Sequence, residues 1–289
     1  MKKDYPKEVG IFLRGFLMGM CDVIPGVSGG TIALITGIYA RLIHAIGSIH
    51  PRMIKSFVRF DKEAILADLK EMDFFFLVVL LSGIGIAFLL MSRVITFCLQ
   101  EFPHITYAFF FGLIVASAVH LLRDMKEIEY KHIGILFIGL ILGLILVSFK
   151  PLEIGHSPVI LFVTGMAALC AMILPGISGA YITLLFGQYE YMLTSLHNFV
   201  FSDIILFCVG GLIGLLLFTR ALKFLLAHYQ TGILSLLVGL MLGTSSLLYM
   251  EVEHAGGFTL LPLLAILLGC GVIALIAFLE LKNKNEELI

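Results

Sequence analysis

Two short corners of the sequence carry the residue types that can hold an anion inside an apolar chain. The first reads Pro25-Gly26-Val27-Ser28-Gly29-Gly30-Thr31, and the second reads Pro175-Gly176-Ile177-Ser178-Gly179. Proline interrupts helical hydrogen bonding, so the helix that restarts after each corner has backbone N–H groups without helical acceptors. Together with a hydroxyl group and glycines that allow close approach, such a helix start suits a phosphate or a carboxylate. The predicted substrate contacts are therefore Ser28, Gly29, Gly30, Thr31, Ser178 and Gly179, and the predicted corners are Pro25, Gly26, Pro175 and Gly176.

A purely structural role explains the same residues. Glycine and proline would then only allow a tight turn, and Ser28 would cap the helix that follows. Non-helical backbone at membrane depth is tolerated only where protein buries it or where it lines a water-filled cavity. The presence of two copies favours binding, but the sequence leaves both interpretations open.

Arg93 and Arg220 form a second duplicated pair. Each follows a hydroxyl residue and lies in the last third of an apolar run. Arginine costs about 2.5–3.5 kcal/mol at the centre of a bilayer, so it usually faces a partner or a cavity. Its planar guanidinium group suits phosphate. We predict that both arginines bind the substrate; the alternative is that they extend to the membrane surface.

Asp22 breaks the symmetry between the corners. It precedes the first corner by three residues, and its counterpart in the second copy is Met172. A carboxylate at this depth is a candidate for ion coupling through a proton, and also for holding the corner by hydrogen bonds. Both roles stay open.

The composition identifies the elements that must position these residues. The 289-residue chain is 60% hydrophobic and 13% charged, whereas soluble domains are about 25% charged. Six apolar runs are long enough to cross a bilayer as helices. They cover residues 74–97, 105–122, 133–149, 204–226, 233–249 and 258–279. The sequence therefore predicts an all-α polytopic membrane protein.

An internal repeat divides this protein into two halves. An offset of 150 residues superimposes the two corners and also pairs Gly37 with Gly187, and an offset of 127 pairs Arg93 with Arg220. Each half is predicted to be a re-entrant helical hairpin followed by three transmembrane helices. The first repeat is residues 1–150, with a hairpin at 11–46, a cytoplasmic amphipathic loop at 47–73 and spans within 74–149; the second is 151–289, with a hairpin at 159–196 and spans within 204–280.

Length and charge both favour hairpins that re-enter the same face. Residues 11–46 would form a helix of about 54 Å, too long for a hydrocarbon core of about 30 Å, whereas arms of 14 and 16 residues are each short of a crossing. With hairpins, all of the 19 basic residues except Arg93 and Lys150 fall on the cytoplasmic side. The halves are then inverted, both termini are cytoplasmic, and the corners approach each other near the membrane midplane.

Other function classes find little support. The net charge of −1 and the absence of a basic stripe give no sign of nucleic-acid binding. The five cysteines and nine histidines are dispersed without metal-ligand spacing, so we predict no metal site and no cofactor. The segment His120-Leu-Leu-Arg-Asp124 is similar to one motif of membrane lipid phosphatases, but the rest of that signature is missing, so we predict no enzyme. The oligomeric state stays open, a homo-oligomer included.

Both corners and their flanks resemble a known family. The segments GFLMGMCDVIPGVSGGTIALITGIYARLI and CAMILPGISGAYITLLFGQYEYML are similar to the paired signatures of the PopT polyprenyl-phosphate transporters, a bacterial family formerly catalogued as a domain of unknown function. The resemblance implies a flippase in the bacterial inner membrane. It would move undecaprenyl phosphate from the outer to the cytoplasmic leaflet and so recycle the carrier lipid of cell-wall synthesis. The alternative is a secondary transporter of a small soluble anion or metabolite.

Overall fold

The computed structural model describes residues 8–23, 27–50, 52–125, 128–152 and 154–286. Over this part of the chain it contains helices and no strands. The helices are α1 Glu8–Asp22, α2 Gly29–Ile35, α3 Tyr39–Gly47, α4 Arg52–Val58, α5 Lys62–Glu71, α6 Phe74–Glu101, α7 Pro103–Asp124, α8 Tyr130–Ser148, α9 Pro158–Ile173, α10 Gly179–Leu185, α11 Tyr189–His197, α12 Phe201–His228, α13 Gln230–His254 and α14 Leu260–Glu286.

The six predicted spans are confirmed. Helices α6, α7, α8, α12, α13 and α14 are each long and apolar enough to cross a bilayer. Their outer faces carry large apolar side chains that the protein leaves uncovered, such as Leu89 and Leu267. In water such a surface would be unfavourable, but lipid tails cover it without cost.

Helix packing follows the sequence repeat. Helix α1 packs on α6 as α9 packs on α12, and α7 packs on α14 as α13 packs on α8. Gly15 lies against the backbone of Leu80, and its counterpart Gly165 lies against that of Phe207. A Cβ atom at either glycine would overlap the facing carbonyl group, so these contacts need glycine. The orientation of the halves relative to a membrane stays a prediction.

The second arm of the predicted first hairpin differs from the expectation of one 16-residue helix. It consists of α2 and α3, which meet at 117°. Gly37 has a φ of 70°, and the N–H of Ile38 donates to the carbonyl of Ala33 at 3.0 Å. This is the left-handed glycine termination of a helix. The second half repeats it at Gly187, whose φ is 64°.

The segment between α3 and α6 also differs from its sequence pattern. The apolar residues of 53–72 recur roughly on one helical face, which predicts one amphipathic helix, but α4 and α5 are separate helices. The break lies at Phe60, which has a φ of 51°. The Asp61 carboxylate then accepts a hydrogen bond from the N–H of Ala64 at 3.1 Å. An aspartate at this position caps a new helix start and so favours two helices over one.

Candidate functional site

The two corners contact each other. The Ser28 hydroxyl group lies 3.3 Å from the carbonyl oxygen of Met172 and 3.1 Å from that of Leu174, and it donates to this pair. In return, the backbone N–H of Gly176 donates to Oγ1 of Thr31 at 2.9 Å. The first half therefore supplies two hydroxyl side chains, and the second half supplies the backbone carbonyl and N–H groups that bind them.

The first corner is held internally as well. Ser28 precedes α2, and its Oγ accepts a hydrogen bond from the N–H of Gly30 at 3.1 Å. A Cβ atom on Gly30 would lie only 2.5 Å from the carbonyl oxygen of Ile173, so glycine is needed where the halves touch. Ser28 is 1% exposed. The capping role that the sequence left open for Ser28 is thus confirmed, whereas binding of a substrate stays a prediction.

The second corner is not an identical copy. Gly176 has a φ of 86°, a conformation that favours glycine. Ser178 precedes α10 and is buried, but its side chain makes no capping hydrogen bond to that helix. Pro25 and Gly26, the predicted turn of the first corner, lie outside the described residues, so the two turns cannot be superimposed atom by atom.

Asp22 holds the first corner by a hydrogen bond. Its Oδ1 atom accepts from the backbone N–H of Gly29 at 2.7 Å. The contact is close, because a Cβ atom on Gly29 would lie 2.6 Å from Oδ2 of the same carboxylate. This confirms the second of the two roles considered for Asp22. Ion coupling stays a prediction.

The paired arginines do not reach the corners in this conformation. Arg220 Nη2 donates to the carbonyl oxygen of Ile49 at 2.6 Å, and Lys223, one turn further along α12, donates through Nζ to Ser48 Oγ at 2.9 Å. Both side chains therefore hold the C-terminal end of α3. Arg93 is exposed and makes no hydrogen bond to another described residue.

A cavity of about 940 Å³ lies between the halves. Its lining comes from α2 and α3, from the residue before α6, from the ends of α7 and α12, and from the start of α13. Leu34 lines it, only four residues beyond Gly30 at the corner. Its wall contains four charged residues, Arg41, Asp73, Asp124 and Lys223, together with His44 and Tyr39. Of these, the sequence analysis named only Asp124, as part of a phosphatase-like segment, and none of its predicted substrate contacts lines this cavity.

Most charges of the cavity are paired. Arg41 forms a bidentate ion pair with Asp73, at 2.6 Å from Nε and 3.2 Å from Nη2, and its guanidinium lies 4.2 Å from the centre of the Phe76 ring. Asp124 lies 3.9 Å from His120. Lys223 binds the neutral hydroxyl of Ser48, and among the described residues no carboxylate is within ion-pair distance of it. Lys223 is therefore the cation of this wall best placed to bind a phosphate.

These features define a class of protein. Six apolar spans define a polytopic α-helical membrane protein. Broken-helix corners that meet between two halves, beside a cavity with charged side chains in its wall, are typical of transporters. Such proteins bind their substrates where the halves meet.

The chain belongs to the family described as VCA0040-like, undecaprenyl phosphate translocase-like, whose model matches residues 18–259. A protein of Vibrio cholerae serotype O1 named polyprenyl-phosphate transporter is 37% identical over 233 residues, which cover 81% of this chain and 75% of that protein. A Staphylococcus aureus protein of the same name is 30% identical over 250 residues, covering 80% and 83% respectively. No solved structure matches the chain.

Proposed function

We propose that this protein transports undecaprenyl phosphate from the outer to the cytoplasmic leaflet of the bacterial inner membrane, where the carrier lipid is used again in cell-wall synthesis. The family and the names of two relatives support a polyprenyl phosphate as the substrate. The direction of transport follows from the role of recycling, in which the spent carrier must return to the cytoplasmic face.

The cavity beside Lys223 is the observation that carries this proposal. Its volume of about 940 Å³ is near the upper end of the range of about 300–1,000 Å³ that is typical of small-molecule sites. One part of its wall is cationic, and another is formed by leucines such as Leu121 and Leu234. A phosphate head group needs the first, and the start of a prenyl chain needs the second. The rest of the prenyl chain stays among the lipid tails of the bilayer.

In the proposed topology the cavity faces the cytoplasm. Its rim includes Asp124, whose side chain is 61% exposed, and it lies at the basic ends of the spans, where the positive-inside rule places the cytoplasm. Both termini share this side, and the hairpins enter from opposite faces as inverted repeats. With the corners bonded to each other, the path to the outer face is closed. This conformation is therefore the inward-facing one.

Transport then requires the corners to separate and close again on the other side. When the bonds of Ser28 and Thr31 to the second corner break, the glycine-rich helix starts, with Ser178 opposite, are freed to contact the phosphate. Arg93, on the outer side of this topology, receives the lipid. Arg220 and Lys223 guide its release into the cytoplasmic leaflet.

Substitution of Lys223 tests the proposal. Loss of a charge-assisted hydrogen bond costs about 1.5–3 kcal/mol, so Lys223→Gln should lower the rate of lipid transport by about 10- to 150-fold. The assay measures leaflet exchange of labelled undecaprenyl phosphate in proteoliposomes. Lys62→Gln is the matched control, because Lys62 is exposed on α5, away from the cavity.

Two results would contradict the proposal. If Lys223→Gln transports lipid at the wild-type rate, the cavity is not part of the transport pathway. Uptake of inorganic phosphate or a small carboxylate by the wild type, without lipid exchange, would favour a transporter of small soluble anions.

A further inference from the structure

Three side chains with metal-binding donor atoms converge beside the cavity wall. His50 lies in the linker between α3 and α4, and Asp68 and Glu71 lie three residues apart on one face of α5. One donor atom from each lies within 4.8 Å of the other two. His50 Nε2 is 3.8 Å from Glu71 Oε2. The sequence analysis predicted no metal site, because residues 50, 68 and 71 follow no metal-ligand spacing and only the fold brings them together.

Two polar atoms of this cluster are buried without a hydrogen bond. Among the described residues, neither Nδ1 of His50 nor Oδ2 of Asp68 has a partner. An unsatisfied buried polar atom costs about 1–3 kcal/mol, and native proteins keep few of them. Two within one group of potential ligands indicate that the cluster binds something besides protein. A cation coordinated by Nδ1 of His50 and Oδ2 of Asp68 would give both atoms a partner.

The donor set selects the kind of ion. One imidazole and two carboxylates suit Zn²⁺ and its first-row neighbours, whereas Ca²⁺ and Mg²⁺ favour oxygen ligands alone. Zn²⁺ binds such ligands at about 2.0–2.2 Å in tetrahedral geometry, so two donors of one ion are about 3.3–3.6 Å apart. Shifts of less than about 1 Å in each side chain would bring the three donors to this separation. We propose that His50, Asp68 and Glu71 bind a divalent transition-metal ion of the Zn²⁺ type, with water in the fourth position.

An ion at this position would stabilise the linker that follows α3. His50 directly follows Ser48 and Ile49, which accept the hydrogen bonds of Lys223 and Arg220. A bound ion would join α5 to this same linker and so fix the end of α3, a helix of the cavity wall. Binding of the ion itself does not depend on which lipid or anion the protein transports.

The test is a titration of Zn²⁺ into the full-length protein, purified in detergent without a polyhistidine tag and stripped of metal by a chelator. We expect saturable binding of one equivalent. Glu71→Gln and His50→Ala should each weaken it by about 100-fold or more, because loss of an outer-sphere partner alone typically costs about 10- to 100-fold. Glu71→Gln is the safer variant for folding, since the Glu71 side chain is 55% exposed.

Two control variants keep the test specific. Glu63→Gln removes an exposed carboxylate from the same helix, and His254→Ala removes an exposed histidine near the end of α13; both should bind Zn²⁺ like the wild type. Size-exclusion chromatography of each variant checks folding. Absence of saturable binding in the wild type would overturn the proposal, and so would wild-type affinity in both Glu71→Gln and His50→Ala. Neither result would bear on lipid transport.

Discussion

Replacement of Ser28 by alanine should loosen the contact between the two corners. The hydroxyl group of Ser28 accepts from the N–H of Gly30 and donates to the carbonyl oxygens of Met172 and Leu174. In Ser28→Ala the buried N–H of Gly30 loses its acceptor, and the carbonyl oxygens of Met172 and Leu174 lose the one hydroxyl hydrogen that they share. Each such loss costs about 1–3 kcal/mol when the two carbonyls, which share a single hydrogen, are counted once, so we expect about 2–6 kcal/mol in total.

This destabilisation should be measurable as a faster rate of backbone hydrogen exchange. A loss of about 2–6 kcal/mol corresponds to a rise of about 30- to 20,000-fold in the population in which the corner is open. The backbone N–H groups of α2 are buried in the closed form and exchange through such openings. Mass spectrometry of the protein in lipid nanodiscs should therefore show exchange in residues 29–35 accelerated by this factor.

The matched control is Ser82→Ala. Ser82 is exposed on α6, and its hydroxyl group donates only to the Val79 carbonyl oxygen of its own helix, at 2.7 Å. Exchange in residues 29–35 should be unchanged in this variant. If Ser28→Ala also leaves that exchange unchanged, the corners are not held together by these bonds, and the inference that they close the path between the halves fails.

Further variants separate structural from transport roles. Asp22→Asn keeps an oxygen acceptor for the N–H of Gly29, so the fold should persist. If Asp22 carries the coupling proton, lipid transport by this variant in vesicles should stop responding to an imposed pH gradient. A retained response would exclude that role. Asp22→Met, which copies the second half, should lower the free energy of unfolding by about 1.5–3 kcal/mol in chemical denaturation, because the charged acceptor is lost; unchanged stability would contradict the hydrogen-bonding role. Arg220→Ala should lower the thermal unfolding temperature, because Ile49 loses its charged donor, whereas exposed Arg93→Ala should not. Wild-type transport rates in both arginine variants would refute their proposed roles in binding the phosphate.

The sequence predicted the features that depend on local pattern. Apolar runs of sufficient length gave the six spans, because crossing a bilayer requires length and apolarity and little else. The paired corners could also be found, since proline, glycine and serine recur at a fixed offset. The bend at Gly37 had a signal too, because Gly187 repeats it, but the continuous apolar pattern on either side favoured a single helix.

Features that depend on contacts between distant segments could not be predicted. Arg41 and Lys223 line one cavity but are 182 residues apart in the chain, and each alone is an ordinary basic residue near a helix end. The convergence of His50 with Asp68 and Glu71 likewise requires the path of the chain between α3 and α5. The duplicated arginines show that a repeat in the sequence does not by itself predict equivalent contacts, since Arg93 and Arg220 lie in different surroundings.

The central claim is that this protein moves a polyprenyl phosphate across the bilayer. The most direct test is the initial rate at which fluorescently labelled undecaprenyl phosphate leaves the outer leaflet of vesicles containing the purified protein, followed with a membrane-impermeant quencher. We predict a rate that increases with the amount of wild-type protein and falls in Lys223→Gln but not in Lys62→Gln. A rate equal to that of protein-free vesicles, with the protein shown to be folded, would contradict the claim.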